Sequence, residues 1–163
     1  MRWEVDVMQG AHVRLRSGKI GLISVEASAP VTSGELHLTE HETTFVLALA
    51  LDQMKSPNFI MQRAARSIVT KHDGHDLTFD GRGPAGGDPW TVSGLATAGT
   101  IEVTLDVTLT PTMRNDVEMS VELTGVAEFG EVSLPLPGMS NIADFNCDVD
   151  AVLTMHRREK SRP

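Results

Sequence analysis

The chain has 163 residues, a length typical of one domain, and its 14 basic and 22 acidic side chains give a formal net charge of −8. This balance excludes a nucleic-acid partner, whose phosphates are bound by Lys and Arg, and disfavours anionic lipid surfaces. Aromatic residues make up only 4%, and the single cysteine, Cys147, excludes an internal disulfide and a cysteine-based zinc site. The longest apolar run, Phe45–Leu51, falls far short of the roughly 20 residues of a membrane-spanning helix. The acidic start Met1–Asp6 does not fit a signal peptide, so we expect a soluble, cytoplasmic protein without stable membrane insertion.

Apolar and polar residues alternate along most of the chain, which predicts β-strands because successive side chains of a strand point to opposite faces. The clearest case is Thr100–Thr110, and Thr43–Leu51 is apolar on both faces, which predicts a strand covered on both sides. The predicted strands are Trp3–Val7, Ala11–Arg16, Ile20–Ala27, Leu36–Leu38, Thr43–Leu51, Leu77–Asp80, Trp90–Leu95, Thr100–Thr110, Val117–Phe129 and Cys147–His156. Ser17-Gly18, Ser33-Gly34, Asp73-Gly74 and Gly86-Gly87-Asp88 are turn signals between them.

One segment has helical rather than strand spacing. Ser56-Pro57 resembles an N-cap followed by proline in the first helical position, and apolar residues then recur every fourth residue through Ile68. We therefore predict a short helix near residues 57–68. Several short strands with one helix indicate a mainly β fold, either a sandwich or a barrel. The residues 1–156 form its one domain, and we expect the basic residues 157–163 to be a disordered tail.

The motifs that resemble catalytic or cofactor sites lack the context that such sites require. The run Gly81–Gly86 matches G-x-G-x-x-G, but prolines interrupt it and the strand at Trp90 follows, so we interpret it as a flexible hairpin loop without a nucleotide. The cluster around His72 and His75 contains two imidazoles and two carboxylates, yet Asp73-Gly74 at its centre is typical of a tight turn. We therefore predict no metal, no cofactor and no catalytic residue.

The apolar faces of the strands leave two interpretations open. They fill a solid core, as in most β domains, or they line a cavity, which an eight-stranded antiparallel barrel is just large enough to hold. The eight methionines and the scarcity of large rings are compatible with a cavity for an irregular apolar ligand.

Short motifs in a fixed order resemble the YceI-like family of polyisoprenoid-binding proteins over roughly residues 1–155. They are Trp3-Glu4-Val5-Asp6, Gly34-Glu35-Leu36, Phe45–Leu51, Gln62-Arg63-Ala64-Ala65-Arg66, Leu77-Thr78-Phe79, Val92–Thr100, Val126–Gly130 and Pro135-Leu136-Pro137-Gly138. The chain departs from the family pattern at Val7-Met8, where the family has His-Ser, and in the helical segment, which lacks the acid.

The resemblance implies a single antiparallel, lipocalin-like β-barrel of about eight strands that binds a long-chain apolar amphiphile without catalysis. The ligand would be an isoprenoid, a quinone or a fatty acyl chain held in the lumen. The lumen residues that we predict are Phe45, Leu47, Leu49, Ile101, Val103, Leu105, Val121, Leu123, Leu153 and Met155, with Phe59, Met61 and Trp90 near a rim. An exposed strand edge would allow a homodimer. The alternatives are an interaction domain with a solid core and a lipid-modifying enzyme using His72 or His75.

Overall fold

The computed structural model describes residues 1–20, 23–56, 75–99, 101–129 and 145–158, and within them all side chains except those of 17–20, 23–25, 101, 129 and 145. This part of the chain is almost entirely β-structure, as the alternating sequence predicts. The nine strands are β1 (Arg2–Val5), β2 (His12–Ile20), β3 (Ile23–Leu38), β4 (Glu42–Ala50), β5 (Asp76–Pro84), β6 (Trp90–Ala98), β7 (Ile101–Arg114), β8 (Glu118–Phe129) and β9 (Phe145–Arg158). Two single 3-10 turns occur, at Val7–Gln9 and Leu51–Gln53.

The strands form one closed antiparallel barrel. They run in the order β1-β3-β2-β9-β8-β7-β6-β5-β4, and β3 also pairs with β4, which closes the sheet on itself. Closure pairs the strands on both sides, so the barrel lacks the free full-length edge among its described strands on which the homodimer prediction rested.

Strands β1 and β2 share a single position in the barrel wall, so nine strands occupy eight positions. Both lie between β3 and β9, with β1 opposite the end of β9 and β2 opposite its middle. The 3-10 turn Val7–Gln9 separates them. Asp6 connects this turn to β9. Its backbone N–H donates to the Thr154 carbonyl at 2.8 Å, and its carboxylate accepts from the backbone N–H of Met8 at 3.0 Å.

The turn predicted at Ser33-Gly34 is wrong, because β3 runs through it as one strand of 16 residues. The local irregularity is instead a shift in the β3–β4 register between Val31 and Ser33. Glycine is needed at 34 because a Cβ there would lie 2.6 Å from Val5 Cγ2 on β1. Gly34 therefore leaves space for the inward side chains of Val5 and Leu47 and does not mark a reversal of the chain.

The prediction that both faces of Thr43–Leu51 are covered is also wrong. Along β4 the inward residues Phe45 and Leu47 are buried, whereas Val46 on the other face is 40% exposed. The barrel wall is a single layer, and no second layer of the described chain covers this outer face.

The glycine-rich run is mostly strand and not loop. Gly81–Pro84 belong to β5, and only the residues after Pro84 connect to β6. A Cβ at Gly83 would lie 1.8 Å from the Thr91 carbonyl oxygen, so this glycine permits β6 to approach β5. A strand and not a helix follows the run, since Trp90–Ala98 is β6.

The last strand is longer than the sequence predicts. Arg157 and Arg158, which the prediction assigned to a tail, are the last residues of β9. The predicted helix 57–68 and the residues 159–163 lie outside the described residues.

Candidate functional site in the barrel interior

The interior of the barrel is lined by one continuous apolar cluster to which every strand contributes. Among the described residues the only buried polar side chain is Thr43, whose hydroxyl donates to the Pro84 carbonyl at 3.0 Å. No charged side chain is buried among these described residues. The described lining therefore offers an uncharged surface whose one hydroxyl already has an acceptor.

Side-chain size divides the interior into two halves. We call the end where β6 begins and β9 ends the packed half; its inward residues are large. They are Trp3, Val5, Leu36, Thr43, Phe45, Trp90, Val92, Val107, Leu109, Met119, Val121, Leu123, Leu153 and Met155. The opposite end, where β4 ends and β9 begins, is the alanine-lined half, because all described buried alanines lie towards it. These are Ala27, Ala29, Ala50, Ala96, Ala98, Ala127 and Ala151.

Solvent exposure follows this division in part, because Phe79, Cys147 and five of the seven alanines are also at most 4% exposed. In the packed half every one of the inward side chains keeps at most 4% of its surface exposed. The buried apolar residues that keep 5–9% all belong to the alanine-lined half. They are Val13, Val31, Leu47, Leu49, Leu51, Val103, Leu105, Ala127, Val149 and Ala151. An inward side chain that solvent still reaches is not fully enclosed by neighbouring atoms, whereas a close-packed interior leaves almost no void next to a side chain. Among the described residues, the remaining solvent exposure of inward side chains is thus concentrated in the alanine-lined half.

The packed half is closed by Arg114, the last residue of β7. Its guanidinium carbon lies 5.7 Å from the ring centroid of Trp3 and 5.7 Å from that of Trp90. Such cation–π contacts are worth roughly 0.5–1 kcal/mol each at exposed sites. The Arg114 side chain also approaches the sulfur of Met1 at 3.9 Å. Nothing in the local sequence marks Arg114, because both indoles come from strands distant in sequence.

The predicted lumen residues divide between the two halves. Leu47, Leu49, Val103 and Leu105 line the alanine-lined half, whereas Phe45, Trp90, Val121, Leu123, Leu153 and Met155 are buried in the packed half. Trp90 is therefore covered by Arg114 at the closed end and does not border an open rim. The side chain of Ile101, which begins β7, and the residues Phe59 and Met61 lie outside the described residues.

The residues that the sequence analysis missed are mainly small ones. Ala127, Val149 and Ala151 alternate in phase with predicted inward residues on β8 and β9, so strand periodicity alone assigns them to the interior. Periodicity does not predict that they lie near the alanine-lined end of the barrel, because that position depends on the pairing of strands from different parts of the chain.

The residues considered for metal binding or catalysis are not assembled into a site in the described part of the chain. His75 is exposed just before β5, and its carbonyl accepts from the backbone N–H of Leu51 at 2.9 Å. His72 lies outside the described residues. Within those residues no three His, Cys, Asp or Glu side chains are grouped as metal ligands. None of the described helices is long and apolar enough to cross a membrane.

A closed antiparallel barrel with an apolar interior is the lipocalin-like class of fold. Comparisons with known structures find the same fold. A polyisoprenoid-binding domain from Saccharophagus degradans, implicated in plant cell wall breakdown, aligns with a TM-score of 0.61 and 14% identity over 96% of this chain and 98% of its own. Burkholderia cenocepacia BcnA aligns with a TM-score of 0.60 and 15% identity over 92% and 98%. No family model and no curated protein matches the sequence. The resemblance to the YceI-like barrels is thus confirmed as a likeness of fold.

Proposed function

We propose that this protein binds a long apolar chain, such as an isoprenoid, a quinone tail or an acyl chain, in the alanine-lined half of its barrel. The observation that carries the proposal is the coincidence of small side chains and residual exposure at one end of an uncharged interior. Burying apolar ligand surface there releases roughly 25 cal/mol per Å², so an affinity of this kind requires no motif. The name of the Saccharophagus degradans domain supports the same class of ligand.

In this proposal the protein acts as a carrier and not as an enzyme. Among the described residues the interior presents no carboxylate, imidazole or amine, and its one thiol, that of Cys147, is buried. General acid–base and nucleophilic catalysis both depend on such groups within hydrogen-bond reach of the reacting atoms. The barrel would instead shield the chain from water until a membrane or another protein accepts it.

The test compares two neighbouring residues on β8 that face opposite sides of the wall. Ala127 is buried in the alanine-lined half, whereas Val126 is 39% exposed on the outside. We expect native mass spectrometry of the wild-type protein with farnesol or dodecanoic acid to show a one-to-one complex. Ala127→Phe should abolish this complex by filling the lumen, and Val126→Phe should retain it.

Two results would overturn the proposal. One is a wild-type protein that retains neither chain at concentrations below their aggregation. The other is equal binding by both phenylalanine variants, which would place the ligand outside the lumen.

A further inference from the structure

On three strands, β4, β7 and β9, the exposure of the inward side chains falls within a single repeat between the two halves. On β7 exposure falls from 8% at Leu105 to 2% at Val107, the next inward residue. On β4 the same step from Leu47 to Phe45 lowers it from 5% to zero. On β9 it falls from 6% at Ala151 to zero at the following inward leucine. On three strands that are not neighbours, the inward side chains thus change from slightly exposed to almost fully buried within two residues.

We infer that these residues form a floor, and that the floor limits how much of an apolar chain the barrel can hold. The inference rests on the proposed function and adds the class of ligand. The floor consists of Phe45, Val107, Leu123 and Leu153 together with Phe79, whose ring centroid lies 6.2 Å from that of Phe45, and all five are at most 2% exposed. Since interiors packed to this density do not open without a large cost, a chain entering from the alanine-lined end stops there.

The depth of the lumen follows from the geometry of β7. The strand runs from Ile101 at the alanine-lined end to the floor at Val107. At about 3.3 Å per residue and a strand tilt of about 35–45°, this span corresponds to a depth of about 15 Å. A fully extended chain advances about 1.2 Å per bond, so about a dozen chain carbons fit above the floor.

The chemistry of the lining sets the direction of entry. The interior holds no charged side chain among the described residues, and the hydroxyl of Thr43 already donates to a carbonyl. A charged or hydroxylated ligand end would lose its hydration above the floor without gaining a partner, which is costly, because the one unpaired buried donor of the described residues, the Trp3 indole N–H, lies in the packed half. The barrel therefore takes the apolar end first and leaves the polar end in water. The ligand class is a single-chain amphiphile of which about twelve carbons are held.

The test is a series of saturated fatty acids from eight to eighteen carbons, each titrated calorimetrically below its aggregation concentration. Each added methylene should strengthen binding about fourfold up to about twelve carbons and then add nothing. Dodecanedioic acid should bind about a hundredfold or more weaker than dodecanoic acid, because its second carboxylate would reach the floor.

Two alanine variants locate the floor. Leu123→Ala lowers the floor itself and should move the plateau to longer chains. Met119→Ala truncates a fully buried side chain two inward positions beyond Leu123 on β8 and should leave the plateau where it is. Thermal unfolding of both variants checks that each is folded.

The possible failures are distinguishable. Affinity that keeps rising to eighteen carbons, or equal binding of the diacid, would overturn the floor while leaving the binding function intact. Absence of binding by every chain of the series would overturn the proposed function itself.

Discussion

At the scale of single residues, Trp3 combines the largest apolar surface of the packed half with an unsatisfied polar atom. Its side chain is 1% exposed, and its indole nitrogen is the one buried side-chain N or O of the described residues without a hydrogen-bond partner. A buried donor left unpaired costs about 1–3 kcal/mol. The aromatic area that Trp3 buries and the Arg114 guanidinium over its ring offset that cost.

Replacing each tryptophan by phenylalanine separates these contributions. Trp3→Phe and Trp90→Phe remove a similar area and keep an aromatic ring beneath Arg114, but only the first removes an unpaired donor. We expect Trp3→Phe to be less destabilising than Trp90→Phe by about 1–3 kcal/mol in urea unfolding. Equal losses would show that the Trp3 nitrogen is satisfied in solution.

At the scale of elements, the interruption between β1 and β2 depends on one carboxylate. Asp6 receives hydrogen bonds from the backbone of Met8 and from Gln9, and its Oδ2 lies 2.9 Å from Nε2 of His156 on β9. The hydrogen bond with His156 is the main cause that holds the pKa of Asp6 below its ordinary value of 3.8, with smaller contributions from Met8 and Gln9 against a desolvation effect that raises it. The ionised carboxylate thus ties the 3-10 turn to β9.

We therefore expect Asp6→Asn to lower stability in a pH-dependent manner. Because the pKa of Asp6 is lower in the folded state, its contribution is fully present above the ordinary carboxyl pKa and is lost as pH falls through the folded value. Urea unfolding between pH 7 and pH 3 should show a gap between wild type and variant that narrows only below about pH 4. Glu122→Gln, on the exposed face of β8, is the control and should show no such gap. A gap that is constant down to pH 3 would contradict this role.

At the scale of the whole molecule, the barrel is asymmetric along its axis. Large side chains fill one half and are sealed by Arg114, while alanines and residual exposure mark the other. The fully buried large side chains of the packed half contribute dispersion contacts that a ligand in the other half would not displace.

Two leucines on β7 test this asymmetry. Leu109→Ala truncates a fully buried side chain in the packed half, so it should cost about 2–5 kcal/mol through the lost transfer energy and a new cavity. Leu105 belongs to the proposed lumen and is 8% exposed, so Leu105→Ala should cost less because its side chain is less completely buried. Chemical denaturation of both variants measures the difference. Equal costs would mean that the alanine-lined half is as densely packed as the other.

Local patterns determined the strands of this protein and the class of its fold. Alternation predicted the positions of β7, β8 and β9 closely, because a half-buried strand must change face at every residue. Short-range turn signals were less reliable. Ser33-Gly34 has the composition of a turn, but Gly34 serves the contact with Val5, whose presence only the β1–β3 pairing reveals.

The amino-acid sequence by itself therefore determined a mainly β chain, its inward-facing residues and the absence of recognisable catalytic motifs. The tertiary structure decided that the sheet closes, that β1 and β2 share one position, and that small and large inward residues separate into opposite halves. The physical reason is that facing direction depends on neighbours along the chain, whereas closure and axial position depend on strand pairings over long sequence distances. The site proposed here is of the second kind, since its lining comes from strands throughout the described chain.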